Sequence, residues 1–291
     1  MGDIRAGEAA RTLGRPPSLG PLLARGAVLS PFKRPRAGVT APRRGLTLPG
    51  VRIDLSALAA YERVCGFGVG ADDLPVTYPH VLGFPLAMRL MSGRAFPLPL
   101  LGLVHTSVEI RRHRPLPASG EYELTVYVDE LVPHRRGTEA VVVTGVRVGG
   151  TPVWESRSTY LARHRTTADG AGPPPGTRER APLPQRARWQ LPGDVGRRYG
   201  AASGDRNPIH LHPLTARLFG FPRTVAHGMW SVARCLADHG VPGSALVRAE
   251  FRAPVLLPGT VAYGAEGAAF ELRGPGGRLH LNGRVEPLPL L

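Results

Sequence analysis

The sequence predicts an α+β fold made of two tandem units. Each unit has one long apolar helix and about four antiparallel strands curved around it. Three observations predict this. A Pro- and Gly-rich stretch, "ADGAGPPPGTRERAPLPQR" from Ala168 to Arg186, divides the chain of 291 residues. A helical pattern opens each flanking part, and short strand-like segments follow it in the same order.

The elements follow along the chain. Residues 1–47 are rich in Arg, Pro, Gly and Ala with little periodicity, so a mostly disordered basic tail is expected. The first half, 48–165, opens with "YERVCGF" and leads to "YPHVLGFPLAMRLMSG". Pro85 fits that helix if it lies in the first turn. "LVHTSVEIRRHRPLPASG", "EYELTVYVDELV", "AVVVTGVRV" and "PVWESRSTYLARH" then read as strands. Prolines in 166–186 forbid a regular helix or central strand and predict a semi-stiff linker. In the second half, 187–291, "YGAASGD" leads through a loop to "VAHGMWSVARCLADHG". There Met229, Val232, Ala233 and Leu236 fall at helical spacing, and Gly240 is the stop. "ALVRAEFRAPVLLPG", "TVAYGAE", "AAFELRG" and "RLHLNGRVEP" supply the second set of strands.

The two halves echo each other. "YERVCGF" matches the frame of "YGAASGD", with Phe67 standing where the later copy has Asp205. "LVHTSVEIRRHRPLPASG" likewise parallels "LVRAEFRAPVLLPG". An internal duplication accounts for both.

Composition narrows the function classes. No apolar run approaches the roughly 18 residues of a membrane span. The N-terminus has no signal peptide, since Arg5, Arg11 and Arg15 are spread along it, so a cytoplasmic location is expected. Cys65 and Cys235 sit in different halves and form no metal or redox spacing. The net charge of +15 is almost all arginine, Lys33 being the only lysine. Those charges are scattered and not striped, and aromatics are few, so specific nucleic-acid binding is not expected. A basic surface also suits an anionic partner such as coenzyme A phosphates or an acidic carrier protein.

The stretch "YGAASGDRNPIHLHP", Tyr199 to Pro213, carries the chemistry. Pro208 cannot sit inside a helix, and Asn207 before it is biased away from the α region. A loop doubling back at "RNP" can bring the carboxylate of Asp205 and the imidazole of His210 to one side as an acid–base pair. Asn207 reads as a turn-former tied to backbone. At "VAHGM" a helix begins, so its first N–H groups lack partners. Gly228 has no side chain to block approach, and its N–H suits a developing negative oxygen. Chemistry beside a carbonyl, such as proton transfer at an α carbon, follows from that combination. His210 and His212 have no third ligand at a recognisable spacing, so no metal is expected. His227 at a helix start reads as a structural hydrogen-bond donor. No nucleophile elbow, P-loop or dinucleotide motif is present.

The segment "YGAASGDRNPIHLHPLTARLFGFPRTVAHGM" resembles the hydratase-2 motif of MaoC-like (R)-specific enoyl-thioester hydratases and dehydratases. The matching positions are Tyr199, Ser203, Gly204, Asp205, Asn207, Pro208, Ile209, His210, Ala216, Gly220, Phe221, His227 and Gly228. The wider chain, roughly 48–291 and including "YPHVLGFPLAMRLM", resembles two-domain actinobacterial 3-hydroxyacyl-thioester dehydratases. The resemblance implies a double hot-dog fold, with a catalytically degenerate first half and the active site in the second. It implies reversible syn addition of water to a trans-2-enoyl thioester, giving the (3R)-hydroxyacyl thioester, in fatty-acid or related acyl metabolism. Asp205 and His210 would hold the water and exchange the α proton, and the Gly228 N–H would bind the thioester oxygen. Ser203, Gly204, Asn207 and His227 would shape the site. The implied substrate is carried by coenzyme A or acyl-carrier protein, with no metal or redox cofactor. A monomeric pseudo-dimer or a homodimer of such chains is implied. Competing expectations are a hot-dog thioesterase, which would release free thiol, and a noncatalytic acyl-thioester-binding subunit.

Overall fold

The computed structural model describes residues 10–33, 40–42, 44–166 and 181–289. The first half runs β1 (Arg11–Thr12), α1 (Leu19–Leu29), β2 (Leu46–Arg52), α2 (Leu55–Cys65), α3 (Tyr78–Met91), β3 (Val104–Arg112), β4 (Glu121–His134), β5 (Gly137–Val148) and β6 (Thr151–Arg163). The second runs β7 (Gln185–Leu191), α4 (Val195–Ser203), α5 (Pro208–Leu211), α6 (Pro213–Leu218), β8 (Thr224–Val225), α7 (Gly228–His239), β9 (Ala245–Phe251), β10 (Leu256–Leu257), β11 (Gly259–Glu266), β12 (Ala269–Arg273) and β13 (Leu279–Pro287).

The sheet order establishes the duplication. One half of the sheet is ordered β2-β4-β5-β6-β3, and the other, read from the opposite edge, β7-β11-β12-β13-β9. Leaving β1, β8 and β10 aside, each half therefore orders its strands first, third, fourth, fifth, second. That order around a central helix is the hot-dog fold, present here twice. The two second strands, β3 and β9, join the halves antiparallel, from Ser107↔Glu250 to Arg112↔Ala245. Val108 faces Ala249 there, and the flanking sequences "VEIR" and "AEFR" match about that point. Both copies carry an ion pair two residues apart, Glu109 with Arg111 and Glu250 with Arg252.

Helix ends repeat as well. The Asp54 carboxylate caps α2 by accepting from the N–H groups of Ser56 and Ala57. α2 ends at Gly66 with φ 82°, and α4 ends at Gly204 with φ 78°. Both glycines take the left-handed conformation that side chains resist. Phe67 and Asp205 follow them, so the echo read in the sequence is a structural one. α2 and α4 meet at the seam, with the rings of Tyr61 and Tyr199 5.9 Å apart.

α7 matches the predicted helix, including its stop at Gly240. α3 does not place Pro85 in its first turn. The helix begins at Tyr78, Pro79 occupies the first turn, and Pro85 lies inside. Pro85 removes the N–H that would bond to the carbonyl of Val81. Burial of Leu86 and Met91 under the sheet outweighs that loss. Gly83 lets α3 lie close on β5, since a Cβ there would stand 2.5 Å from Thr144 Cγ2.

The N-terminal segment also departs from expectation. Within 1–47, residues 10–33 are folded. β1 pairs in parallel with β2, Arg11 opposite Leu46. α1 packs through Leu19, Leu22 and Leu23, an i, i+3, i+4 stripe, and Leu22 is buried. At Gly26 a Cβ would overlap the Leu100 side chain, at 2.2 Å. The Lys33 ammonium donates to the carbonyls of Met91 and Gly93 at the end of α3, at 3.1 and 2.9 Å. The arginine- and proline-rich composition conceals this short apolar stripe. Most of the expected linker, 167–180, lies outside the described residues, and its last two positions, Gln185 and Arg186, begin β7. Cys65 and Cys235 are free and buried. Among the described residues no helix is long and apolar enough to cross a membrane.

Candidate active site

The predicted acid and base are placed by the chain between α4 and α7. Ser203 ends α4, Gly204 reverses the chain, and Asp205 follows in non-helical backbone. The Asp205 N–H donates to Ser203 Oγ at 3.2 Å. The Asp205 carboxylate accepts from the Asn207 N–H at 3.1 Å, an Asx turn. Asn207 then caps α5, its amide oxygen accepting from the Ile209 N–H. The expected unhelical turn is thus confined to 204–207. His210 sits on one short helical turn that Pro208 opens, the position where a missing N–H is harmless.

Two glycines press this loop against α4. A Cβ on Gly196 would stand 2.1 Å from the His210 carbonyl oxygen. One on Gly200 would stand 2.8 Å from the Asp205 carbonyl oxygen. Neither glycine belongs to the motif that the sequence displays. Their spacing of four on a helix facing the loop is the signal that could have revealed them.

His227 locks the loop to α7. Its Nε2 donates to the Asp205 carbonyl at 2.9 Å and lies 3.9 Å from the carboxylate. The His210 and His227 rings stack with centroids 3.6 Å apart, and Tyr199 packs on His227 at 4.8 Å. Gly228, the next residue, opens α7. The Ser231 N–H makes the i→i−4 bond back to the His227 carbonyl, at 3.1 Å. The N–H groups of the first turn, Gly228 included, therefore lack helical acceptors. A Cβ on Gly228 would stand 2.9 Å from the Phe251 ring. Asp205, His210 and His227 are so brought together, and Gly228 follows His227 at the start of α7.

Tautomers follow from the acceptors. His210 Nδ1 lies 2.7 Å from the Val225 carbonyl, which can only accept, so Nδ1 carries the proton and Nε2 the lone pair. Burial pushes the His210 imidazole below its ordinary pKa, while the Asp205 charge opposes that shift. His227 is driven down to about 3 by burial and by its neighbour His210. Both rings are neutral at pH 7. A neutral His210 with a free Nε2 beside a carboxylate can take a proton and return it.

His212 caps α6, accepting from the Leu214 N–H, and does not join the pair. Among the described residues, Asp205, His210 and His227 are the group whose ligand atoms lie within 4.8 Å of one another. One nitrogen of each ring is engaged by backbone, His210 Nδ1 with the Val225 carbonyl and His227 Nε2 with the Asp205 carbonyl. The equivalent corner of the first half lacks the same parts. Phe67 replaces the acid, no histidine lies between Phe67 and Tyr78, and Pro79 removes an N–H from the first turn of α3.

Two hot-dog units in one chain, with one carboxylate–imidazole pair at the start of one central helix, define the double hot-dog class. Comparison with known proteins agrees. The MaoC like domain family matches residues 174–267. The chain is 38% identical over 230 residues to 3-hydroxyacyl-thioester dehydratase X of Mycobacterium tuberculosis, covering 78% of this chain and 81% of that protein. It is 36% identical over 156 residues to 3-hydroxyacyl-thioester dehydratase Y of the same organism, half of each chain. The crystal structure of HtdX from M. tuberculosis superposes with a TM-score of 0.74 at 34% identity, covering 84% of this chain and all of that one. The chain belongs to the MaoC-like dehydratase family.

Proposed function

We propose that this protein is a hydro-lyase that interconverts (3R)-hydroxyacyl thioesters and trans-2-enoyl thioesters. The observation that carries this reading is the Asp205–His210 pair held beside the unpartnered N–H groups of α7. In the hydration direction, water sits between the Asp205 carboxylate and His210 Nε2. One of them removes its proton as oxygen bonds to C3. The thioester oxygen gains charge and is met by the Gly228 N–H at the positive end of α7. A proton delivered to C2 from the same side completes a syn addition. Losing one such oxyanion donor typically costs about 3 kcal/mol of transition-state stabilisation.

Coenzyme A or acyl-carrier protein would carry the substrate, and no step requires a metal or redox group. The residue frame supports one site per chain, in the second half. A thioesterase reading lacks a comparable observation.

The test is to supply trans-2-enoyl-CoA and follow loss of the conjugated thioester absorbance, with chiral analysis of the product. A (3R)-hydroxyacyl thioester with no free thiol is the expected result. Release of free thiol, or the (3S) product, contradicts the proposal.

A further inference from the structure

The first half has lost the acid–base pair, yet its interior beside the site is not apolar. Val108 opposite Ala249 relates the two halves, so Ile110 corresponds to Phe251. Ser156 pairs with Ile110 and Leu281 with Phe251. Ser158 pairs with Val108 and Gly283 with Ala249. Two serines of the first half thus stand where the second half has Leu281 and Gly283. Both are 1% exposed. His80, on α3, is also buried, with its Nδ1 3.4 Å from Ser156 Oγ. Neither serine nor histidine is needed to fill a hot-dog interior, and unpaired buried polar groups are costly.

Ring contacts carry this polar patch to the catalytic corner. His105 lies 4.7 Å from Phe251 and 4.5 Å from Tyr160, centroid to centroid, and 6.2 Å from His80. Phe251 is the ring that packs on Gly228. His105 Nε2 is enclosed and has no hydrogen-bond partner among the described residues. Burial holds His80 near pKa 4 and His105 near 3, and the Asp205 charge bears on both His80 and Tyr160. The imidazoles are therefore neutral at pH 7, and His80 and Tyr160 share the electrostatic environment of the Asp205 carboxylate.

We propose that His80, His105, Ser156, Ser158 and Tyr160 form a polar wall that receives an oxygen-bearing acyl chain, one with a hydroxyl or keto group beyond C3. This inference rests on the thioester reading of the site. A plain alkyl chain would leave His105 Nε2 and the Ser158 hydroxyl without partners, whereas a chain hydroxyl would satisfy them. The carrier arm must lead out to solvent, while Ser156 and Ser158 are interior. The acyl end of the substrate, not the arm, is therefore the part that meets them.

The test compares hexanoyl-CoA with 6-hydroxyhexanoyl-CoA in direct binding, and their trans-2-enoyl forms in turnover. It uses the native protein, His105→Phe and Ser156→Ala, each checked for an unchanged thermal transition. Binding of the saturated compounds needs no chemistry, so it reads the wall even if no enoyl thioester is hydrated. Absent hydration contradicts the proposed reaction alone. The expected result is about a tenfold preference of the native protein for the hydroxylated chain, falling toward one in both variants. No preference in the native protein overturns the inference. So does a preference that survives in both variants. Repeating the comparison with N-acetylcysteamine thioesters separates the two sources of polar groups. A preference retained on the truncated carrier supports the wall, and one that disappears with the arm overturns it.

Discussion

At the residue scale, the site depends on which imidazole nitrogen carries a proton. The Val225 carbonyl fixes that choice for His210, and burial keeps the ring neutral. A base that must be neutral stays so below the ordinary imidazole pKa of about 6.5. The acidic limb of kcat/KM is therefore expected below pH 6.5, and a limb at or above that value would contradict the assignment. Close approach matters as much as charge. Gly196→Ala would push on the His210 backbone, and a displacement of about 1 Å can cost on the order of a hundredfold in rate. Steady-state kinetics with a thermal-melt control would check this. The carboxylate, the histidine and the helix-opening glycine were legible in the sequence, because proline and glycine restrict the backbone around them. Gly196, Gly200, His80 and His105 were not. Their importance lies in neighbours far along the chain, and no short spacing announces them.

At the element scale, the N-terminal strap is the part that composition misread. α1 leans on two loops. Gly26 fits against Leu100, and Leu19 Cδ1 would stand 2.5 Å from a Cβ at Gly204, the residue before Asp205. Leu22 is buried, so Leu22→Ala is expected to cost about 2 kcal/mol, read from urea unfolding. A loss below about 0.5 kcal/mol would mean that the helix does not pack on the core. The helices α3 and α7 show the opposite case. Apolar periodicity marks α7, and in α3 packing under the sheet overrides the local preference against Pro85. The α4 and α5 turns were harder to see, since helices of 9 and 4 residues carry little periodicity of their own.

Across the whole molecule, the β3–β9 seam turns two units into one sheet. Side chains reinforce it. Trp230 Nε1, on α7, donates to the Val64 carbonyl of α2 at 2.8 Å. Arg112 reaches the Pro242 carbonyl from β3. The duplication was visible in the sequence, but the seam was not, because strand pairing between halves leaves no local signature. Buried neutral histidines give the fold a pH dependence. His80 and His227 have folded pKa values of about 4 and 3, and His210 is also lowered. Below pH 6.5 the unfolded chain binds protons that the folded chain refuses. Stability is thus full above that pH and falls as pH drops toward 4, by up to about 1.4 kcal/mol per pH unit for each such histidine. Urea midpoints measured from pH 7.5 to 4.5 should decline accordingly, and a flat profile would contradict neutral burial.

The measurement that tests the central claim most directly is hydration of trans-2-enoyl thioesters by the native protein beside Asp205→Asn and His210→Gln. Both substitutions keep side-chain size while removing the charge or the proton acceptor. Turnover by the native protein, with a loss of at least about a hundredfold in each variant and unchanged melting, is the predicted result. Near-native turnover in either folded variant would show that the chemistry is carried elsewhere.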